Sequence, residues 1–442
     1  MDAGAQRKLY YGWIILGVCA FTNLLILGVR FSSGIFLKPM SVELTWSRSL
    51  VSQGFALSNL LIGFYQPFTG RLLDRWGARP TMAAGALLTA VVTILISFTQ
   101  APWHFFATFG VLYPLGVAGS AIGSSAALVQ RWFKRYRGTA LSVVTAGASA
   151  GQFLVAPLFA FALIAYGWRA TLFASGLLVL LVIVPILIIF VRERPEVLGQ
   201  FPDGAVAASP RDAAPPSRSE PPGRTPVRAA IITPPSRECT LGEASTTLPF
   251  WLLCGGFFVC GWTVGMVSAH IAAYLDDLGF SKELGGYVLS VIGGMNIVGT
   301  LTMGGLSDRL GLKSVPLAVV YLIRGLALLM LVLSPSFASV MVFSFLIGFA
   351  WLATVPMTYG LIGDHFGLRN LGVISGFIYL AHQIGAGVSI SLAGWWAEAY
   401  GSYRGMFLLA ALLAFAATVC SYAIQEQRPA AAPAPRTQPA KA

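Results

Sequence analysis

The 442-residue chain is 56% hydrophobic and only 10% charged, with a formal net charge of +12 and a mean hydropathy of +0.74. Soluble proteins carry about 25% charged residues, so this composition excludes a water-soluble globule and makes lipid the main solvent. The positive balance does not read as nucleic-acid binding either: the bases sit in loops between apolar runs, with no basic and aromatic soluble module. The five cysteines lack metal-type spacing and imply neither a metal site nor a disulfide framework.

Twelve apolar runs follow one another, each near the roughly 20 residues that cross a bilayer as a helix. They centre on 11–30, 50–69, 81–99, 102–129, 138–165, 169–191, 249–273, 285–306, 315–333, 336–362, 371–397 and 403–424. The first follows Arg7 and Lys8 as a signal peptide would, yet it is long and lacks a small-residue cleavage site, so it reads as an uncleaved anchor. The bases decide orientation. With the N-terminus inside, Arg71, Arg75, Arg79, Arg131, Lys134, Arg135, Arg137, Arg309, Lys313 and Arg369 all fall inside, while outer loops keep Lys38, Arg48, Arg169, Lys282 and Arg404.

The expected layout in the inner (plasma) membrane is a cytoplasmic N-terminus (1–9), a six-helix bundle (10–191), a cytoplasmic linker (192–247), a second six-helix bundle (248–425) and a cytoplasmic tail (426–442). The linker and tail are rich in Pro, Ala, Ser and Arg, cannot bury a core, and predict disorder.

Two charged hinges echo each other. Gly70-Arg71-Leu72-Leu73-Asp74-Arg75-Trp76-Gly77-Ala78-Arg79-Pro80 joins the second and third runs; Gly304-Gly305-Leu306-Ser307-Asp308-Arg309-Leu310-Gly311-Leu312-Lys313 joins the eighth and ninth. In both, a glycine precedes an Asp-Arg pair, and a further glycine and a base follow, which implies two related halves. This pair resembles the loop signature of the major facilitator superfamily. The resemblance implies an all-α membrane protein of 12 transmembrane helices in two pseudo-symmetric six-helix bundles. It also implies that Gly70, Asp74, Arg75, Gly77, Arg79, Gly304, Asp308, Arg309 and Gly311 latch an inner gate through charge contacts; the plainer reading is a pair of solvated turns. A narrower likeness, to the monocarboxylate-porter branch with its oxalate:formate antiporters, rests on Tyr11-Gly12-Trp13, on Trp132-Phe133-Lys134-Arg135-Tyr136-Arg137-Gly138-Thr139-Ala140 and on Ala146-Gly147-Ala148-Ser149-Ala150-Gly151. Ser142 stands where that branch usually has glycine, so the likeness fixes the branch better than the cargo.

No Asp or Glu lies in the middle of any run, whereas Arg30, His270, Arg324 and His382 do lie within runs. Charged groups at membrane depth persist where they face a wet cavity or a partner, so their sign favours an anionic cargo. Arg30 suits a carboxylate, matching an essential base that the resemblance implies in the same span; snorkelling to the interface is the alternative. Pseudo-symmetry puts His270 across the cavity, as an anion contact, a proton site or a packing residue. His382-Gln383 resembles a His-Gln pair of bacterial members, in a span that flanks the cavity. Arg324 reads as a brace. Asn296 and Thr300 take the places of an Asp-Arg pair that animal porters carry in span eight, which leaves proton coupling by that route in doubt. Tyr113, Asn296 and Tyr359 are candidate cavity-lining groups or ordinary interhelical hydrogen-bonders.

The expectation is a secondary transporter rather than an enzyme. It would move a small mono- or dicarboxylate by alternating access, with no cofactor, as a monomer, and with protons as an open question. The rivals are an efflux pump for hydrophobic or cationic compounds and a non-transporting sensor.

Overall fold

A backbone in lipid must satisfy its own N–H and C=O groups, which a helix does within one segment. The computed structural model describes residues 10–204 and 238–426, and no strand occurs among them. Arg7, Lys8, much of the expected linker and the tail lie outside the described residues.

The first set of six long helices is α1 (Gly12–Ser32), α2 (Arg48–Trp76), α3 (Ala78–Ser97), α4 (Pro102–Trp132), α5 (Arg137–Phe159) and α6 (Phe161–Phe190). The second is α7 (Leu248–Asp277), α8 (Leu284–Leu310), α9 (Ser314–Leu333), α10 (Phe337–Phe366), α11 (Leu371–Tyr400) and α12 (Arg404–Tyr422). Eleven of the twelve are long and apolar enough to cross a membrane. The exception, α2, carries Gln53, Ser58, Asn59, Gln66 and Thr69. Its polar groups reflect a helix that packs against the other half and lines a cavity rather than facing lipid alone.

Within the halves, α1 packs on α5 as α7 packs on α11; between them, α2 packs on α11 as α8 packs on α5. One apolar core fills the first half and continues into the second at the end of the bundle bearing Arg71, Arg75, Arg79, Arg309 and Arg369, called the basic end below. A separate core fills the opposite end of the second half. The halves are thus fused at the basic end.

Three helices depart from regular α geometry. α6 turns at Gly167 (φ 79°), α4 is wound as a π-helix over Phe106–Leu112, and α10 breaks between Phe349 and Thr354.

The flanks of the expected linker are folded. Short 3-10 turns span Pro195–Leu198 and Pro202–Gly204, and a helix spans Leu241–Ser245 behind a Thr240/Glu243 capping box. Acids pin these flanks: Asp203 accepts from the N–H groups of Lys134 (3.0 Å) and Arg135 (2.7 Å), and Glu238 from that of Arg369 (2.9 Å). Of the stretch 192–247 expected to be disordered, 192–204 and 238–247 are therefore folded, and the rest lies outside the described residues.

Candidate functional site

Helices α1, α2 and α4 enclose a cavity of about 230 Å³ lined by Arg30, Phe31, Phe55, Ser58, Asn59, Phe109 and Tyr113. Arg30 Nη2 donates to Asn59 Oδ1 at 2.8 Å, and its guanidinium lies 5.3 Å from the Phe31 ring centre. The Asn59 amide nitrogen donates to the Phe55 carbonyl one turn back (3.1 Å), which holds the amide with its oxygen toward Arg30. The π-wound turn of α4 builds the wall: Phe105 stacks on Phe109 at 5.3 Å, Phe109 stacks on Tyr113 at 5.5 Å, and Phe55 closes on Phe109 at 4.6 Å. π-Turns of this kind recur at functional sites. Tyr113 is 2% exposed, and its hydroxyl has no hydrogen-bond partner among the described residues. A buried hydroxyl left unpaired costs about 1–3 kcal/mol, so a ligand that accepts from Tyr113 recovers that penalty. The cavity thus brings together one guanidinium, an amide, two hydroxyls and an aromatic wall, groups that can pair with an anion.

The cavity is linked to the second half. The Asn59 carbonyl accepts from Gln383 Nε2 at 2.7 Å, and Gln383 Oε1 lies 3.0 Å from His382 Nδ1. The His382 ring stacks on Tyr379 at 5.4 Å and packs on Phe257 at 5.0 Å. Arg30, Tyr113, Gln383 and His382 therefore belong to one neighbourhood.

Three other candidates lie elsewhere. His270 Nε2 bonds the Ile390 carbonyl of α11 at 3.0 Å and its ring packs on Tyr403 at 5.1 Å. Asn296, 1% exposed, donates to Ser149 of the first half (2.7 Å) and accepts from Leu352 N (3.0 Å) at the break in α10. Tyr359 is buried edge-on against Phe257. Arg324, 0% exposed, donates to Thr263 (2.7 Å) and to the Ala350 and Trp351 carbonyls that the break in α10 frees.

Asn59 and Ser58 were missed by a sequence reading that sought charges within runs. The available signal was an adjacent polar pair in the middle of the second run.

At the basic end the two loop aspartates play matching parts. The Asp74 carboxylate of α2 accepts from Gly372 N (3.0 Å) and Val373 N (2.9 Å) in the first turn of α11. Asp308 of α8 accepts from Gly138 N (2.8 Å) and Thr139 N (2.6 Å) in the first turn of α5. Each acid thus caps a helix of the opposite half and meets its positive dipole end. The charge contact is with a helix terminus, while Arg75, Arg79 and Arg309 are exposed. Gly77 (φ 96°) and Gly311 (φ 65°) end the helices in backbone regions that side chains disfavour.

Glu193 accepts from Ala78 N and Arg79 N (2.9 and 2.7 Å) ahead of α3, and Glu426 accepts from Lys313 N and Ser314 N (2.8 and 3.1 Å) ahead of α9. Burial pushes the Glu426 carboxyl up, against the pull of those N–H groups and of the Lys313 charge. Asp364 joins the halves as well, accepting from Arg137 of α5 and from Lys313 Nζ (2.6 Å).

Close glycine contacts allow this closure. A Cβ on Gly372 would lie 2.5 Å from the Gly70 carbonyl, and one on Gly304 would meet Ser142 Oγ at 1.7 Å and the Gly138 carbonyl at 2.6 Å. Gly372→Val should therefore wedge the basic end open. Overpacking of about 1–3 kcal/mol favours the open form by roughly 5- to 150-fold. The check is the labelling rate of a cysteine placed at Ser375, which should rise; unchanged labelling would contradict the contact.

Two six-helix halves joined at one end, with a polar cavity between helices and paired capped loops, define a membrane transporter of the two-bundle kind. The chain belongs to the Major Facilitator Superfamily, whose family model matches residues 19–320 and again 253–442. It is similar to the uncharacterized MFS-type transporter YcxA of Bacillus subtilis, 25% identical over 400 residues that cover 86% of this chain and 87% of that one. Monocarboxylate transporter 12 of Rattus norvegicus is 25% identical over 413 residues, covering 90% and 82% of the two chains. Monocarboxylate transporter 13 of Bos taurus is 24% identical over 402 residues, covering 90% and 86%. Among solved structures, the fold is similar to the E. coli fucose:proton symporter FucP (TM-score 0.66, 14% identity, 93% of this chain and 98% of that one). It is also similar to the human organic anion transporter MFSD10 (TM-score 0.63, 15% identity, 95% and 100%).

Proposed function

We propose that the protein carries a small organic anion, a monocarboxylate before a dicarboxylate, by alternating access, with Arg30 gripping the carboxylate. One observation carries this: Arg30 lines a cavity together with Asn59, Ser58 and the Tyr113 hydroxyl, and no acid among the described residues lines it. Among the described residues one cation lines it, which matches one carboxylate, and about 230 Å³ suits a small acid. The monocarboxylate transporters among the relatives support the same sign of cargo. The excess of bases supports a cytoplasmic basic end. The closed basic end is then the cytoplasmic gate, in a state whose cavity belongs to the outward side.

Efflux of lipophilic cations would call for an acid in the cavity lining. The test is equilibrium binding of radiolabelled lactate to the purified protein. Unlabelled organic acids should displace the label, tetraphenylphosphonium should not, and Arg30→Gln should abolish binding. Displacement by the cation, or full binding by Arg30→Gln, would overturn the reading.

A further inference from the structure

We infer that Arg137 and Gln130 form a second carboxylate site at the basic end, where the cargo takes the place of the acids that hold that end shut; this rests on the organic-anion reading above.

The first turn of α5 meets two acids of the second half at once. Asp364 of α10 accepts from Arg137 Nη1, and Asp308 of α8 accepts from Gly138 N (2.8 Å) and Thr139 N (2.6 Å). A guanidinium and two main-chain N–H groups at a helix start are donors matched to carboxylate oxygens. In the closed form the protein's own acids fill that role. When the halves part at the basic end, both acids leave with the second half. Asp364 keeps Lys313 of its own half, at 2.6 Å. Arg131 likewise keeps Glu193 within the first half, at 3.1 Å. Among the described residues no acid of the first half pairs with Arg137. Asp203, which goes with the first half, is committed to the N–H groups of Lys134 and Arg135.

Donors at this place are unpaired even in the closed form. Gln130 of α4 is 1% exposed, and neither atom of its amide has a hydrogen-bond partner among the described residues. Arg137 is 7% exposed, and its Nε is unpaired as well. The two side chains converge: a Cβ on Gly363, next to Asp364, would run into Gln130 Oε1 and lie 3.3 Å from Arg137 Nη1. A buried amide without partners is costly, so a carboxylate that accepts from Arg137 and Gln130 recovers part of that cost. The pairing repeats the outer cavity, where Arg30 stands beside the Asn59 amide. The other capped helix lacks it: Asp74 frees the N–H groups of Gly372 and Val373, and Arg369 ahead of them is exposed. A small carboxylate that has left Arg30 therefore lands on Arg137 once Asp364 and Asp308 have moved off. While it stays it blocks their return, so the basic end recloses after the cargo has gone.

The experiment uses the full chain in membrane vesicles of both orientations, with radiolabelled lactate and with vesicles lacking the protein subtracted. The readout is the half-saturating lactate concentration at the face bearing the basic end, compared with the opposite face. Arg137→Gln should raise it about tenfold at the basic-end face alone, the loss of one charge-assisted contact. Asp364→Asn frees Arg137 for the cargo and should lower it at that face. A plain gate pair gives another pattern, because either substitution loosens the same contact; shifts in the same direction overturn the second site. Gln130→Met keeps Arg137 and the side-chain length and should raise the basic-end value about threefold. Should Arg137→Gln fail to reach the membrane, the other two variants decide, and unmoved values in both overturn the site. A wild type without saturable flux of lactate or oxalate overturns the organic-anion reading and this site with it.

Discussion

Arg30→Ala is expected to lower the initial rate of organic-anion uptake about a hundredfold. A paired guanidinium–carboxylate contact contributes about 1.5–3 kcal/mol through its charge-assisted hydrogen bonds, and 1.4 kcal/mol is a factor of ten. Substitution also strands Asn59, whose oxygen Arg30 holds at 2.8 Å. Arg30→Lys keeps the charge but loses the planar fork, and should recover about tenfold of the lost rate. The closed basic end is built from other residues, so both variants should elute as the native protein does in size-exclusion chromatography. Uptake unchanged in Arg30→Ala would make Arg30 an interfacial anchor.

The second large effect is expected from the loop aspartates. Each carboxylate accepts two N–H groups from the first turn of a helix in the other half. Asparagine can accept with its oxygen only, and its amide group faces the second N–H donor. Loss of the charge and of one bond should weaken each contact by about 2 kcal/mol, or roughly thirtyfold in the balance between closed and open basic ends. The two sites act on different helices, so Asp74→Asn with Asp308→Asn should add to about 4 kcal/mol. Labelling of a basic-end cysteine should rise stepwise through the single and double variants, and uptake should slow while lactate still binds. A double variant with native labelling and native uptake would reduce both loops to solvated turns.

The layout of the chain was legible because its signals are local. A run of apolar residues is a span whatever surrounds it, and the repeated Gly and Asp-Arg spacing marks related hinges. The turn between the fifth and sixth runs, expected between 165 and 169, falls at Gly167. The second run, set at 50–69, is the larger part of α2 (Arg48–Trp76), whose last two turns carry the exposed bases Arg71 and Arg75 and so lack the apolar mark of a span.

Contacts between distant residues were not legible. Gly70 and Gly304 announce close approach, yet nothing near them names Gly372 or Gly138 as the partner. Main-chain acceptors are invisible too. His270 was placed across the cavity by symmetry, while the Ile390 carbonyl that it bonds has no signature in a side-chain pattern. The same blindness hid the acids Glu193 and Glu426, which serve backbone N–H groups at helix starts. Asn59 escaped because an uncharged amide in a run is usually a packing group, and only its neighbours Arg30 and Gln383 make it a junction.

The sign of the cargo is tested most directly by flux through purified protein in liposomes, offered radiolabelled lactate or radiolabelled tetraphenylphosphonium. Saturable lactate uptake, competed by other carboxylates, indifferent to the cation and lost in Arg30→Ala, is the expected result. Saturable uptake of the cation that Arg30→Ala leaves intact, with no lactate flux, would contradict it.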